Sequence, residues 1–426
     1  MSTPTLLEVT AEELETWPPR PETRKQPAAY FDALREKAGA GVYRFPNPHA
    51  NGRPIFLAMS WDAVSHILKH TDEFDSNLAT VLPDIAAMLQ LPFPDKPTHY
   101  RPEGIAFTED EDHDVKRVWA DMLFTPERMA GYSAVIAEVA DRLIDKFIDE
   151  GTANISADFA EAIPLEVLTI IMGLPGEDAA DIKRWTDVVT RLSMTAPTAE
   201  EVANTERAIA ECSEYVLKQC LSRLENPGDD YLSEVIKHQI ARDGVFDQNV
   251  MVSHVRNMFL AAYHTTAGAL MAATVHMCEM PELQDEIRNT PTSFRKFFEE
   301  SMRLEGPLMW HPRHAVNTIE IDGVEIPAGS IVFTSFRAGS HDPDKYEDPY
   351  TFDATRRNLM HHLSFGAGIH RCPGAPLAKL YAQVAFERLL ARTRNLTINE
   401  ELSDLEPLPG FNFRIPTRVQ VNFDKA

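Results

Sequence analysis

Cysteine is scarce: Cys212, Cys220, Cys278 and Cys372 are the whole set in 426 residues. None stands in a C-x-x-C pair, which excludes a zinc knuckle and a dithiol redox motif. In a reducing compartment all four are expected to stay thiols, and Cys212, Cys220 and Cys278 read as ordinary core residues. Nowhere does the chain approach the ~20 consecutive apolar residues that a membrane span needs. The first residues, with Glu8, Glu12, Glu13 and Glu15 ahead of Pro18-Pro19, read as neither signal peptide nor anchor. The expectation is a cytoplasmic protein with no membrane partner. Positive charge is also short, since 41 Lys and Arg against 65 Asp and Glu leave a formal net charge of −24. That balance argues against nucleic acid or anionic lipid as a partner. No Gly-, Ser- or Pro-rich linker divides a chain roughly two to three times a typical domain length. Residues 1–426 are therefore read as a single, monomeric domain without internal repeats.

What is present is mostly helical. Val42-Tyr43-Arg44-Phe45 and Ile55-Phe56-Leu57-Ala58 read as two strands around an Asn-Gly loop, and Ser60 can cap a helix whose apolar face is Val64, Ile67 and Leu68. From about 110 to 300 the apolar spacing is helical, as in Val135, Ile136, Val139, Leu143 and Phe147. Breaks are expected at Pro164, Pro175-Gly176, Pro197 and Pro227-Gly228. The longest uninterrupted candidate runs from about Gln248 to Met280 and, apolar on most faces through its middle, must be central. Ile319 to Ile326 alternates about Asp322-Gly323, the pattern of a hairpin. A glycine loop leads into a helix from about Ala375 to Thr393, and Arg418 to Phe423 alternates like a strand. The fold class expected is mainly α with a minor antiparallel β portion.

The most specific segment is Phe365-Gly366-Ala367-Gly368-Ile369-His370-Arg371-Cys372-Pro373-Gly374. Glycines at 366, 368 and 374 allow a tight turn and close approach to a flat ligand. Backbone amides at the start of the next helix can stabilise a thiolate on Cys372. The pattern F-x-x-G-x-H-x-C-x-G closely resembles the haem-binding loop of the cytochrome P-450 family. The resemblance implies that Cys372 ligates the iron of haem b (iron protoporphyrin IX), that Phe365, Gly366 and His370 adjoin the cofactor, and that His370 contacts a propionate. It also implies that family's fold, with the long central helix crossing the domain beside the haem.

Other landmarks of that family occur in order. Glu300-Ser301-Met302-Arg303 is similar to its E-x-x-R, and Arg356 to the arginine completing a structural Glu-Arg-Arg network. Buried together, Glu300, Arg303 and Arg356 would satisfy one another. His113 and Arg117 lie one helical turn apart, which suits two donors reaching one carboxylate. By resemblance they and Arg313 are propionate donors.

Leu260-Ala261-Ala262-Tyr263-His264-Thr265-Thr266 resembles the family's oxygen-activation segment A-G-x-D-T-T, with two departures. Ala262 replaces a glycine that lines the haem side, narrowing the helix bulge, and His264 replaces the usual acid. Thr265, followed by Thr266, keeps a hydroxyl that can both donate and accept, as a proton relay requires. His264 admits two readings: a proton shuttle in place of the acid, or a helix histidine hydrogen-bonded to a neighbour.

From Asp353 to Arg394 seven basic residues (Arg356, Arg357, Arg371, Lys379, Arg388, Arg392, Arg394) face two acidic ones, Asp353 and Glu387. In an acidic chain this reads as a docking face for an acidic electron carrier, or as scattered surface charge. The resemblance implies a ferredoxin fed by an NAD(P)H-dependent reductase. It places the substrate pocket at Leu91, Phe93, Asn257, Leu260, Ala261, Leu308, Met309, Phe411 and Phe413, apolar apart from Asn257. That lining favours a small-to-medium hydrophobic molecule, a terpenoid, steroid or aromatic, hydroxylated with O2. Two alternatives stand beside this: a peroxide-driven or non-oxygenating haem-thiolate enzyme, and a haem-based sensor or binding protein.

Overall fold

The computed structural model describes residues 9–15, 17–20, 23, 27–46, 52–77, 104–192, 198–290, 292–407 and 412–426. Helix α1 (Pro27–Ala38) leads into β1 (Val42–Arg44) and β2 (Ile55–Ala58), paired antiparallel with Val42 opposite Ala58. Ser60 caps α2 (Trp61–Lys69) by accepting from the Ala63 amide, and Val64, Ile67 and Leu68 are buried as their spacing predicts. The short β3 (Phe74–Asp75) follows.

The helical body holds α3 (Asp110–Asp121), α4 (Pro126–Ile144), β4 (Thr152–Asn154), α5 (Ala162–Ile171), α6 (Ala179–Leu192), α7 (Ala199–Glu225) and α8 (Tyr231–Asp243). The break expected at Pro164 falls earlier. A π-helical turn at Ser156–Ala160 ends just before α5, and Pro164 occupies the first turn of α5, where its missing amide costs no intrahelical bond. Pro197 lies outside the described residues, and Thr198 with Glu201 forms a reciprocal capping box at α7.

Helix α9 (Gln248–Glu279) has 32 residues and is capped by Asp247; at ~1.5 Å per residue it is about 48 Å long. Phe259 and Leu270 of α9 share the main core with Ile136, Val139 and Leu143 of α4. Among the described residues α9 is the one helix long and apolar enough to cross a membrane, and 67% of its apolar window is buried inside the protein.

Helices α10 (Pro281–Asn289) and α11 (Ser293–Glu305) precede β5 (Trp310–Ala315), the hairpin β6 (Ile319–Ile321) and β7 (Val324–Ile326), β8 (Ile331–Ser335) and α12 (Phe336–Ser340). At the hairpin turn Asp322 and Gly323 both take positive φ, as a tight two-residue loop demands. The chain ends with α13 (Ala375–Arg392), β9 (Thr393–Ile398), β10 (Asp404–Pro407), β11 (Pro416–Arg418) and β12 (Gln420–Lys425). The tail read as one strand is thus two, parted at Val419, whose amide donates to Ser156 Oγ.

The largest sheet has the order β1-β2-β8-β5-β3. Its pairings are antiparallel except β2 with β8, which run parallel. A parallel neighbour needs a long crossover, and here most of the helical body supplies it.

Candidate cofactor site

The cysteine loop lies between α12 and α13. Gly366 and Gly368 take φ of +66° and +68°. A Cβ on Gly368 would meet the Leu68 carbonyl oxygen at 2.1 Å, so the close approach that demands glycine there is to the backbone of α2 rather than to a ligand. Gly374 departs from expectation too: its φ of −79° suits any residue, and a Cβ would rest 3.8 Å from Cys372 Sγ, an ordinary contact.

Cys372 is pinned by its amide, which donates to Phe365 O at 2.8 Å. Burial pushes its thiol above the ordinary value, while the Gly374 and Ala375 amides and the charges of Arg117 and Arg371 pull the other way. The amides at the start of α13 are where the sequence places them, yet burial outweighs them. A cation at sulfur is what would complete the ionisation. In Cys212, Cys220 and Cys278 burial is the main cause that takes the thiol to about 12.

Next to this loop, buried donors converge. The rings of His113 and His370 meet edge to face with centroids 4.6 Å apart, and the charge of Arg313 bears on His370. His113 Nε2, Arg313 Nε and His370 Nδ1 are buried and find no hydrogen-bond partner among the described residues. Burial lowers Arg313 to about 10, against the pull of Glu109 and Asp75, so near neutrality it is still a cation. A group bearing carboxylates fits this cluster by its chemistry, because the buried Arg313 cation has an unfilled Nε–H and the two imidazoles beside it each leave a buried nitrogen unsatisfied, which is costly. Arg117 has further partners. Its Nη1 donates to Ile369 O and Arg371 O and its Nε to Asp121, so it also braces the loop.

Glu109 was not singled out by the sequence. Its Oε1 accepts from the Ser76 amide at 2.7 Å and lies 3.1 Å from His370 Nε2. Burial would raise its pKa, but hydrogen bonds from His370 and Ser76 hold it at about 2. Nothing local distinguishes Glu109 within the acidic run at the start of α3.

Midway along α9 the burial is interrupted. Leu260, Ala261, Ala262, His264 and Thr265 are partly or fully exposed while Thr266 to Thr274 are buried, so that stretch of the helix is open on one side. Thr265 Oγ1 donates to Ala261 O. Thr266 is buried at 7% and faces away, since adjacent helical residues diverge by about 100°. No bulge opens at Ala262: α9 stays α-helical throughout.

His264 Nε2 lies 3.3 Å from Asp187 Oδ1 of α6. Burial lowers the imidazole pKa and Asp187 partly restores it. Lys183 in turn lies 2.6 Å from Asp187 and 3.2 Å from Glu161. Asp187 and Lys183 escaped sequence reasoning because they reach His264 from another helix.

Asn257 packs against Gly104, whose added Cβ would overlap its amide. Leu308 and Phe413 face each other across a β-bridge. Met309 points elsewhere: it is 1% exposed in the N-terminal core with Trp17 and Trp310. Leu91, Phe93 and Phe411 lie outside the described residues.

Beneath the loop, Glu300 accepts two bonds from Arg303 at 2.8 and 2.7 Å, and one from Arg356 at 3.0 Å. Beside them Glu299 reaches Lys379 and His362 at 2.6 and 2.9 Å, and Glu305 bridges Arg337 and Arg414. Burial opposes ionisation of Glu299 and Glu305, but these cations hold both below the ordinary 4.5. A carboxylate depressed in the folded state stabilises it above the unfolded pKa and loses that contribution as pH falls through the folded value. Stability is therefore expected to be flat down to about pH 4.5 and to fall below it. Urea midpoints across that range check this, and Glu305→Gln should flatten part of the slope.

The basic segment is largely neutralised internally. Arg356 is in the Glu300 network, Lys379 pairs with Glu299, Arg388 with Asp141 and Arg392 with Asp145, while Arg394 bonds carbonyls. Arg357 and Arg371 stay exposed and have no acidic partner among the described residues.

A family profile described as Cytochrome P450 matches residues 294–417, the stretch holding Glu300, Arg303, Arg356 and Cys372. Cytochrome P450 144 of Mycobacterium tuberculosis is 27% identical over 372 residues, 87% of this chain and 84% of its own. The 6-deoxyerythronolide B hydroxylase of Saccharopolyspora erythraea is 28% identical over 315 residues, 74% of this chain and 76% of its own. The solved structure of P450BioI in complex with acyl carrier protein ligated to hexadec-9Z-enoic acid is similar with a TM-score of 0.82. It is 25% identical and covers 95% of this chain and 100% of that one. With a cysteine at a helix N-terminus and buried nitrogens beside it, the chain has the fold of the cytochromes P450 and is similar in sequence to that family of haem monooxygenases.

Proposed function

We propose that Cys372 is the protein ligand of the haem iron, and that His113, Arg313 and His370 hold the propionates. The observation that carries this is the buried Arg313 cation with two unsatisfied imidazole nitrogens around it, beside the cysteine loop. Phe365 and Gly366 would flank the sulfur, and Ala262 would line the opposite side. When bound, the haem supplies the O2 chemistry, driven by two electrons and tuned by its thiolate ligand.

The chain's own groups do the rest. Gly374 and Ala375 amides aim at Cys372 Sγ and moderate its charge. Leu260 and Ala261 line the open side of α9 with apolar surface and limit water. Thr265 donates to Ala261 O, which leaves its lone pairs to accept a hydrogen bond and hold a proton-carrying water in place; to pass a proton on itself, the hydroxyl would first turn away from Ala261 O. His264, with Nε2 3.3 Å from Asp187 Oδ1, is the proton shuttle in place of the family's acid, and since adjacent helical side chains diverge it would reach Thr265 only through water.

The substrate is a small-to-medium hydrophobic molecule, a terpenoid, steroid or aromatic, which the apolar residues on the open side of α9 support. Medium-sized apolar ligands are also in keeping with a relative named for 6-deoxyerythronolide B and one solved with a hexadecenoyl carrier protein. Electrons come from a ferredoxin and its NAD(P)H-dependent reductase. Its docking face is smaller than the basic count suggests, consisting of Lys69 and Arg371 with exposed Met360 and Ile369 around a cleft beside the cysteine loop. The chain works as a cytoplasmic, single-domain monomer.

The test is turnover with a surrogate ferredoxin pair. Substrate-dependent NADH consumption is expected, and Thr265→Ala should keep consuming NADH while yielding about tenfold less product per NADH, at the low end of what proton-transfer groups contribute. Full coupling in that variant would remove Thr265 from the relay. Turnover with added peroxide but none with the carrier would favour the peroxide-driven alternative.

A further inference from the structure

The last turn of α2 carries His66 and His70, four residues apart and so on one face, and the chain returns past them through Glu73 on its way into β3. One ligand atom from each of the three lies within 4.8 Å of the others; His66 and Glu73 are half-buried and His70 lies at the surface. His66 Nε2 sits 2.8 Å from Glu73 Oε2. The two imidazoles stack with centroids 4.0 Å apart and 21° between their planes.

Further details set this apart from histidines scattered on a surface helix. His70 Nδ1 lies 2.8 Å from the His66 carbonyl oxygen. A carbonyl can only accept, so Nδ1 carries the proton and Nε2 keeps its lone pair, which is how proteins commonly orient a metal-binding imidazole. Glu73 is fixed through its backbone, its amide donating to His70 O and its carbonyl accepting from the Val316 amide. Lys69, on the same turn, holds its ammonium over the Trp61 ring at 5.6 Å, engaged away from the three ligand atoms.

We propose that His66, His70 and Glu73 form a binding site for one divalent cation of the zinc class, with water in its remaining positions. Two imidazoles and a carboxylate are the donor set such borderline cations favour over magnesium or calcium, which take oxygen. Small rotations of these three side chains bring their donors to the ~2 Å such bonds need. The cation would tie the end of α2 to the segment entering β3. Because Gly368 of the cysteine loop lies against Leu68 O in that same turn, the clamp sits directly behind the loop. None of this depends on what the loop binds.

The experiment is calorimetric titration of Zn2+ into tag-free, chelator-stripped holoprotein. Binding of one equivalent is expected with a Kd of about 1–10 µM, as for an exposed three-ligand site. At about a hundredfold excess over Kd, Tm should rise by about 3 °C. His70→Ala and Glu73→Gln should each weaken binding at least about tenfold, the scale on which metal sites lose affinity when a contact goes. Mg2+ should not compete. The His66→Ala/His70→Ala double variant, checked for an unchanged circular dichroism spectrum, should bind no Zn2+ at this stoichiometry. Absence of saturable binding up to about 100 µM, or binding that survives the double substitution, overturns the proposal, leaving only a His66–Glu73 ion pair.

Discussion

Replacing Glu300 with alanine is expected to destabilise the folded protein by about 3–5 kcal/mol, the cost of breaking a buried ion pair from one side. Glu300 and Arg303 are fully buried, and Arg356 is 7% exposed. One carboxylate accepts four hydrogen bonds, two from Arg303, one from Arg356 and one from the Asp353 amide. Alanine would leave two guanidinium groups with their carbonyl contacts alone. Those contacts are substantial: Arg303 also donates to Ser340 O, Pro349 O and Thr351 O, and Arg356 to Asp348 O and Thr351 O. They satisfy hydrogen-bond geometry without neutralising charge, and charge is what the interior tolerates least. Arg356→Ala should cost less than Glu300→Ala, because it sits at the edge and its loss leaves the bidentate Arg303–Glu300 pair intact. Urea unfolding followed by circular dichroism measures both. A Glu300→Ala cost under about 1 kcal/mol, the scale of an exposed pair, would show that the network is not energetically buried.

The parts of this molecule that were legible in its sequence are those specified within a few residues. The Ser60 cap, the strand Ile55–Ala58, the Asp322-Gly323 turn and the 32-residue α9 follow from local propensity and period. The cysteine loop is equally local in its own turn, where the Cys372 amide returns to Phe365 O. What sequence could not supply is what arrives from elsewhere. Glu109 meets His370 across 261 residues, and Asp187 meets His264 from a different helix. No spacing rule connects such pairs. The misassigned residues share a second cause, which is direction: Thr266 and Met309 stand beside residues that border the site but point to the opposite face. Arg117 stands on the expected helix, and its Nη1 also reaches the loop carbonyls, a contact its spacing from His113 does not reveal. Counting basic residues overstated the docking face, because a count cannot see that Arg388 and Arg392 are answered by acids on α4 and just beyond its end.

Cys372→Ser should abolish the strongly red-shifted Soret band of the reduced, carbon-monoxide-bound form and lower turnover at least about a hundredfold, since even partners one step removed from a metal ligand matter on that scale. Serine nearly preserves the volume and keeps the backbone bond to Phe365 O, so the loop is expected to stay folded. Its hydroxyl ionises far less readily than a thiol, and no cation among Arg117 and Arg371 is strong enough to compensate when burial already prevails over them. Compared as haem-free proteins, wild type and variant should differ by no more than about 0.5 kcal/mol, since the serine oxygen can accept from the Gly374 and Ala375 amides as the sulfur does. Cys212→Ser supplies the contrast. That thiol is 3% exposed in the core, and a hydroxyl placed there without a partner should cost about 1–3 kcal/mol while leaving the Soret band untouched. The two substitutions are chemically identical, so opposite outcomes, spectrum lost with stability kept and stability lost with spectrum kept, would separate a ligand from a core residue. A Cys372→Ser protein that kept the red-shifted band would mean that another side chain binds the iron, and the assignment of the loop would fall with it.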